Sequence, residues 1–142
     1  MENWGNGIKN GVDWRLFYRT SNLGYSAEIN KVYAEVDAWG ADESVEFHFN
    51  GGGGTGTETL TSGTRGSLNL AARANEAMVV SLGLRNRGIK KRGKRERGGR
   101  SLWAGKAPAI LVEPFFGDCQ SDVDRVVSVG GEALLESILS NL

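Results

Sequence analysis

The sequence predicts an α/β fold, a three-layer sandwich in which a mostly parallel twisted sheet is flanked by helices. Two observations carry this. Short β-prone segments alternate with segments of helical period along the chain, the pattern of a sheet covered by helices. The run "APAILVE" is continuously apolar up to its last residue, as a strand buried on both faces requires. The chain of 142 residues is the size of one domain and can bury a core without staples.

The elements follow in order. "DWRLFYR", residues 13–19, reads as a strand ending in polar residues. Ile29, Val32, Tyr33, Val36 and Trp39 fall at helical spacing, with Ser26 as the cap and Gly40 as the stop. "SVEFHF", residues 44–49, is a strand, and "TETLTS" beyond the glycines is another. A helix over 67–84 would bury Leu68, Ala71, Ala72, Val79 and Leu82. After the strand in "APAILVE", Ser121 with Asp124 resembles a capping box that opens a short helix. The tail 132–142 is amphipathic, with Leu134, Leu135, Ile138, Leu139 and Leu142 on one side. No internal repeat is visible.

Composition narrows the function. A single cysteine, Cys119, allows neither an internal disulfide nor a cysteine metal cluster. No apolar run approaches a membrane span, and "MENWGNGIKNGVDW" lacks the basic and apolar regions of a signal peptide. The net charge is zero but uneven. Residues 85–100 carry nine basic residues and one acid, leaving 8 basic and 16 acidic residues elsewhere. Such a run suits a polyanion, although a solvated loop between elements is the more ordinary reading. No aromatic residue interrupts it, so nucleic acid is not the expected partner.

The stretch "FHFNGGGGTGTETL" offers two readings. Gly51, Gly53 and Gly56 match G-x-G-x-x-G, but a strand follows them where a dinucleotide fold needs a helix. Thr57 stands where a P-loop needs lysine. The glycines therefore read as a flexible joint. That leaves His48, the only histidine, near the end of one strand, and Glu113 at the end of another. Sites gather at the carboxyl ends of strands in such sheets. Alone, His48 has an ordinary structural reading and Glu113 that of a strand-end carboxylate. Together they suit metal-assisted hydrolysis.

Two segments carry a resemblance. "VEFHFNGGGGTGTETLTSG" is similar to the "IHxNA … GxE" segment of the zinc-dependent N-acetylmuramoyl-L-alanine amidases of the amidase-3 type. "APAILVEPFFGDCQSDVD" resembles that family's "PAVLVE-GF-SN-xD" segment, and "EALLESILSNL" its closing helix. The resemblance covers roughly residues 14–142. It implies a peptidoglycan hydrolase that cleaves the amide between N-acetylmuramic acid and L-alanine of the stem peptide. It implies zinc as cofactor, His48 as a zinc ligand and Glu113 as the catalytic glutamate.

One departure stands out. The family opens with a strand ending in a "GHGG"-like segment and then a metal-binding glutamate on the first helix. This chain shows neither, and Glu2 lies too close to "RLFYRT" to replace that glutamate. Residues 1–142 thus read as a single amidase-like catalytic domain that is N-terminally incomplete, with an exposed sheet edge through which chains would self-associate. Small size and a lone catalytic domain suit a phage endolysin acting on the cell wall, and a bacterial origin stays open. The alternative is an inactive domain that binds the wall or another polyanion through the basic loop 85–100.

Overall fold

The computed structural model describes residues 6–9 and 11–142; Glu2 lies outside them. β1 (Gly7–Lys9) and β2 (Val12–Trp14) pair antiparallel in a ribbon of their own. The predicted strand over 13–19 thus ends at Trp14, and residues 15–20 are irregular.

α1 (Tyr25–Trp39) follows. Its N-cap is Gly24 rather than Ser26, and Gly40 closes it in the left-handed conformation (φ 82°) that glycine adopts without a Cβ penalty. Ile29, Val32, Tyr33 and Val36 are buried as their spacing predicts. β3 (Ser44–Phe47), β4 (Thr57–Thr61), α2 (Arg65–Leu82), β5 (Asn86–Lys91), α3 (Gly99–Leu102), β6 (Ala109–Glu113), α4 (Gln120–Val129) and α5 (Gly131–Leu139) complete the chain.

The main sheet runs β3-β6-β4-β5. β3 is parallel to β6 and β4 to β5, whereas β4 and β6 are antiparallel. Two of the three pairings are therefore parallel. α2 and α5 cover one face, where Leu70, Ala74, Met78 and Ile138 pack on Ile110 and Val112. α1 and α3 cover the other, through Tyr33 against Ala109 and Leu102 against Leu60 and Leu111. This is the three-layer sandwich that the sequence predicts.

β4 is buried along its whole length although its sequence is Thr-Glu-Thr-Leu-Thr. A buried hydroxyl is tolerated only when hydrogen-bonded, and each threonine has a partner. Thr57 Oγ1 donates to Pro114 O (2.7 Å), Thr59 Oγ1 to Asn75 Oδ1 (3.0 Å), and Thr61 Oγ1 shares a hydrogen bond with Ser67 Oγ (2.7 Å).

The buried face of α2 is rotated from the predicted one. Leu68 and Ala72 point to solvent, while Leu70, Ala74, Ala77 and Met78 enter the core. The helix begins two residues earlier than predicted, capped by Thr64, whose side chain accepts from Ser67 N. The Ser121–Asp124 capping box does not form either. Cys119 holds the N-cap position of α4 without a side-chain cap. The basic run also differs from a loop between elements: residues 86–91 form β5, the outermost strand on one side, and the rest folds back toward the centre of the sheet.

Candidate active site

β3 and β6 run side by side in the same direction, with Phe47 opposite Val112 and the His48 amide donating to Val112 O (3.0 Å). That register sets His48, one residue beyond β3, level with Glu113, the last residue of β6. The structure brings together the two residues that the sequence selects. Both line one cleft of about 650 Å³, with Leu60 and Leu111 in the wall and Lys94, Arg95, Arg97 and Arg100 around them.

Glu113 is 4 % exposed. Its register partner on the antiparallel side is Glu58 of β4, a residue the sequence reading passed over. Burial raises the Glu113 carboxyl above its ordinary range. The hydrogen bond and charge of Glu58 raise it further, against the pull of Arg97 and His48. Glu58 moves the other way. Burial works to raise it, but the hydrogen bond with Glu113, Arg87 Nε at 3.1 Å and Asn50 Nδ2 at 2.8 Å outweigh that and hold it low. Of the two, Glu58 therefore ionises first and Glu113 holds its proton to higher pH. Arg97 approaches Glu113 Oε1 to 3.5 Å from a largely exposed position.

His48 has its own carboxylate. Nε2 lies 2.7 Å from Glu46 Oε1, and Tyr33 Oη donates to Glu46 Oε2 (3.1 Å). Burial alone would raise the Glu46 carboxyl, but His48, with Ser101 and Tyr33, holds it below its ordinary value. Burial and the Glu46 charge in turn push the Tyr33 hydroxyl up. A carboxylate bonded to one ring nitrogen fixes the ring and leaves the other nitrogen, Nδ1, for a ligand.

Among the described residues, no three His, Cys, Asp or Glu side chains are placed to hold one metal ion. A catalytic zinc takes about three protein ligands. His48 supplies one donor of that kind, so the residues present do not by themselves fit the zinc that the resemblance implies.

The glycine stretch is fastened rather than loose. Asp118 Oδ2 accepts from the amides of Gly52 and Gly53, both at 2.8 Å. These donors hold its carboxyl below the ordinary range. The amides form a concave anion site of the kind that suits a phosphate, and a side chain of the same protein occupies it. Asp122, 1 % exposed, accepts from Thr55 Oγ1 (2.5 Å), Gly56 N (2.9 Å) and Phe116 N (3.1 Å). Its burial works to raise the carboxyl, but these donors outweigh it and hold it low. Asn50 closes the arrangement by exchanging backbone hydrogen bonds with Phe115 (2.8 Å) and Gly117 (2.9 Å). The reading of the glycines as a flexible joint is thereby corrected. They let the backbone lie against the segment after β6. A Cβ on Gly56, at φ 109°, would stand 2.3 Å from Arg85 O, and one on Gly54 would stand 2.5 Å from the Phe116 ring.

An acid and an imidazole level on adjacent parallel strands, both lining one cleft, form a candidate site where α/β sheets gather their chemistry. The comparisons give the family. The profile of N-acetylmuramoyl-L-alanine amidase, of the amidase-3 type, matches residues 9–139, and the chain belongs to this family. A comparison with curated protein sequences finds no significant match. Among solved structures, the catalytic domain of the CD27L endolysin targeting Clostridia difficile superposes with a TM-score of 0.70 at 27 % identity. That match covers 85 % of this chain and 64 % of that one. The N-acetylmuramoyl-L-alanine amidase from Clostridium difficile 630 gives 0.65 at 24 % identity, covering 79 % and 63 %. The catalytic domain of CwlV from Bacillus (Paenibacillus) polymyxa var. colistinus gives 0.58 at 18 %, covering 93 % and 64 %. The chain thus spans less than two thirds of the length of these structures.

Proposed function

We propose that this chain is the part of a cell-wall hydrolase that carries its acid–base group, and that the bond cleaved is the amide between N-acetylmuramic acid and L-alanine of the peptidoglycan stem peptide. Family membership supports the reaction class. The observation that carries the assignment is the position of Glu113, buried at the end of β6, level with His48 and open to the cleft.

In this reading Glu113 takes a proton from the attacking water and returns it to the departing amine of L-alanine. It acts as base in its ionised form, and Glu58 makes that form harder to reach. Leu60 and Leu111 give the cleft an apolar lining, with Leu102 packed against them in the core. The Tyr33–Glu46 pair fixes the ring of His48.

The finer proposal is that His48 is one donor of a zinc centre whose other donors are not among the described residues. Zinc supplies activation of water and polarisation of the carbonyl when bound. The likeness to an endolysin catalytic domain supports a wall-lysing role outside the cytoplasm, of phage or bacterial origin. Among the described residues, no helix is long and apolar enough to cross a membrane.

The test is amide hydrolysis of purified peptidoglycan by zinc-supplemented protein, followed as new N-terminal L-alanine, with Glu113→Gln beside it. Release by the parent and none by the variant supports the assignment. Equal release by both would falsify it.

A further inference from the structure

The amidase reading leaves the basic run unexplained. Residues 92–99 form a closed loop over the cleft. The Arg92 amide continues the β5 ladder by donating to Thr61 O (2.8 Å), and Trp103 Nε1 donates to Arg92 O (3.1 Å). Gly93 N donates to the Glu96 carboxylate, and Gly99 N to Glu96 O (2.9 Å). Gly98, at φ 78°, lies so close to the sheet that a Cβ there would stand 2.7 Å from Leu60 Cδ1. A Cβ on Gly99 would stand 1.8 Å from Gly93 O. The loop is therefore a packed part of the cleft wall.

Its charges face the same space as Glu113. Lys94, Arg95, Arg97 and Arg100 line the cleft against two carboxylates, Glu96 and Glu113. The Glu96 carboxylate is held by Gly93 N, and the four cations outnumber the two carboxylates. Lys94 Nζ lies over the Trp103 ring at 5.6 Å, and Arg100 Nη1 is 3.5 Å from Asn30 Oδ1. Among the described residues, neither Lys94 nor Arg95 has an ion-pair partner. An excess of cations in a cleft attracts an anionic ligand and focuses its field there.

We propose that Lys94 and Arg95 form a carboxylate-binding subsite for the stem peptide, in the cleft that Glu113 lines. This rests on the amidase reading. The amine protonated by Glu113 is that of L-alanine, and Arg97, the neighbour of these cations, stands 3.5 Å from Glu113 Oε1. An extended peptide advances about 3.3–3.6 Å per residue, a step short enough to keep the residue after L-alanine within the cleft that Lys94 and Arg95 line with Glu113. In a stem peptide that residue is an acid, unless it is amidated. A wall polymer or nucleic acid calls instead for cations spread along an outer face. Here they converge on the pocket that holds the acid–base group.

The probes are N-acetylmuramoyl-L-alanyl-D-glutamate and its diamide, with poly(glycerol phosphate) as a third ligand. Binding is measured by calorimetry on this protein and on the double variant Lys94→Gln/Arg95→Gln, with thermal melts to confirm that both fold. The diacid should bind about tenfold or more tightly than the diamide, since each hydrogen bond to a charged group is worth roughly that factor. The double variant should lose that preference and keep the diamide affinity. Equal binding of both forms, binding of neither, or a preference that survives the double substitution overturns the subsite. So does a loss confined to poly(glycerol phosphate). Cleavage separates this proposal from the one beneath it. A cleaved diamide with no diacid preference removes only the subsite. A diacid preference with no cleavage of either compound by zinc-supplemented protein removes the amidase reading.

Discussion

Glu58 and Glu113 are register partners across the antiparallel pair β4–β6, and their carboxyl groups share a hydrogen bond. Arg87 and Asn50 favour the ionised form of Glu58, and burial beside it favours the protonated form of Glu113. The general base of the proposed reaction is therefore poised by a second carboxylate. Glu58→Gln removes the charge that raises Glu113. In a pH–rate profile of the zinc-supplemented protein, the acid limb should move to lower pH. An unmoved limb means Glu58 does not set the protonation of Glu113.

Glu113→Gln keeps the shape of the side chain and removes the acid–base function. Activity on peptidoglycan should fall by about 10²–10⁴-fold. The melting temperature should not fall, because the amide has the size of the acid and can still donate to the Glu58 carboxylate beside it. A variant that clears walls at the parent rate places the proton transfer on another residue.

Asp122 holds the glycine stretch through three hydrogen bonds from a buried position. Asp122→Ala leaves those donors unmet and should cost about 2–4 kcal/mol in urea unfolding, since charged hydrogen bonds and orphaned buried groups each cost of that order. The folded carboxyl lies below its ordinary value. Its stabilisation is therefore complete above the usual aspartate range near ~3.9 and is lost as pH falls through the lower folded value. The parent should lose stability on acidification in that window, and Asp122→Ala should show a shallower slope there.

Gly56→Ala combines a left-handed backbone with a Cβ 2.3 Å from a carbonyl oxygen. Strain at such positions costs about 1–3 kcal/mol each. A loss of that size or more in a thermal melt is expected. An unchanged melt means the stretch relaxes freely, as a loose joint would.

Among the described residues, β3 has one neighbour in the sheet, β6, and its far side is an open edge. Such an edge is a template for another strand. Sedimentation velocity over a range of concentrations should show self-association of this chain. A concentration-independent monomer contradicts it.

Much of this protein was legible in its sequence because the signals were local. The helical spacing of Ile29, Val32, Tyr33 and Val36, the stop at Gly40 and the apolar run ending at Glu113 each depend on neighbours in the chain. His48 and Glu113 stood out because strand ends are where an α/β sheet places chemistry, and the sheet sets them level. Tertiary structure decided the rest. Glu58 sits in a segment that reads as an ordinary threonine-rich strand. It matters because β4 runs antiparallel beside β6, and strand order is not written in any one strand. Glu46 was hidden in the same way, since its role depends on the Tyr33 hydroxyl arriving from a helix. The face of α2 turned because the core is set by what β6 and α5 present to it. The glycines gave no hint that Asp118 and Asp122, more than sixty residues away, would fill their amides. Hydrophobic period fixes which elements form. Which charges meet depends on long-range register, and packing alone sets that.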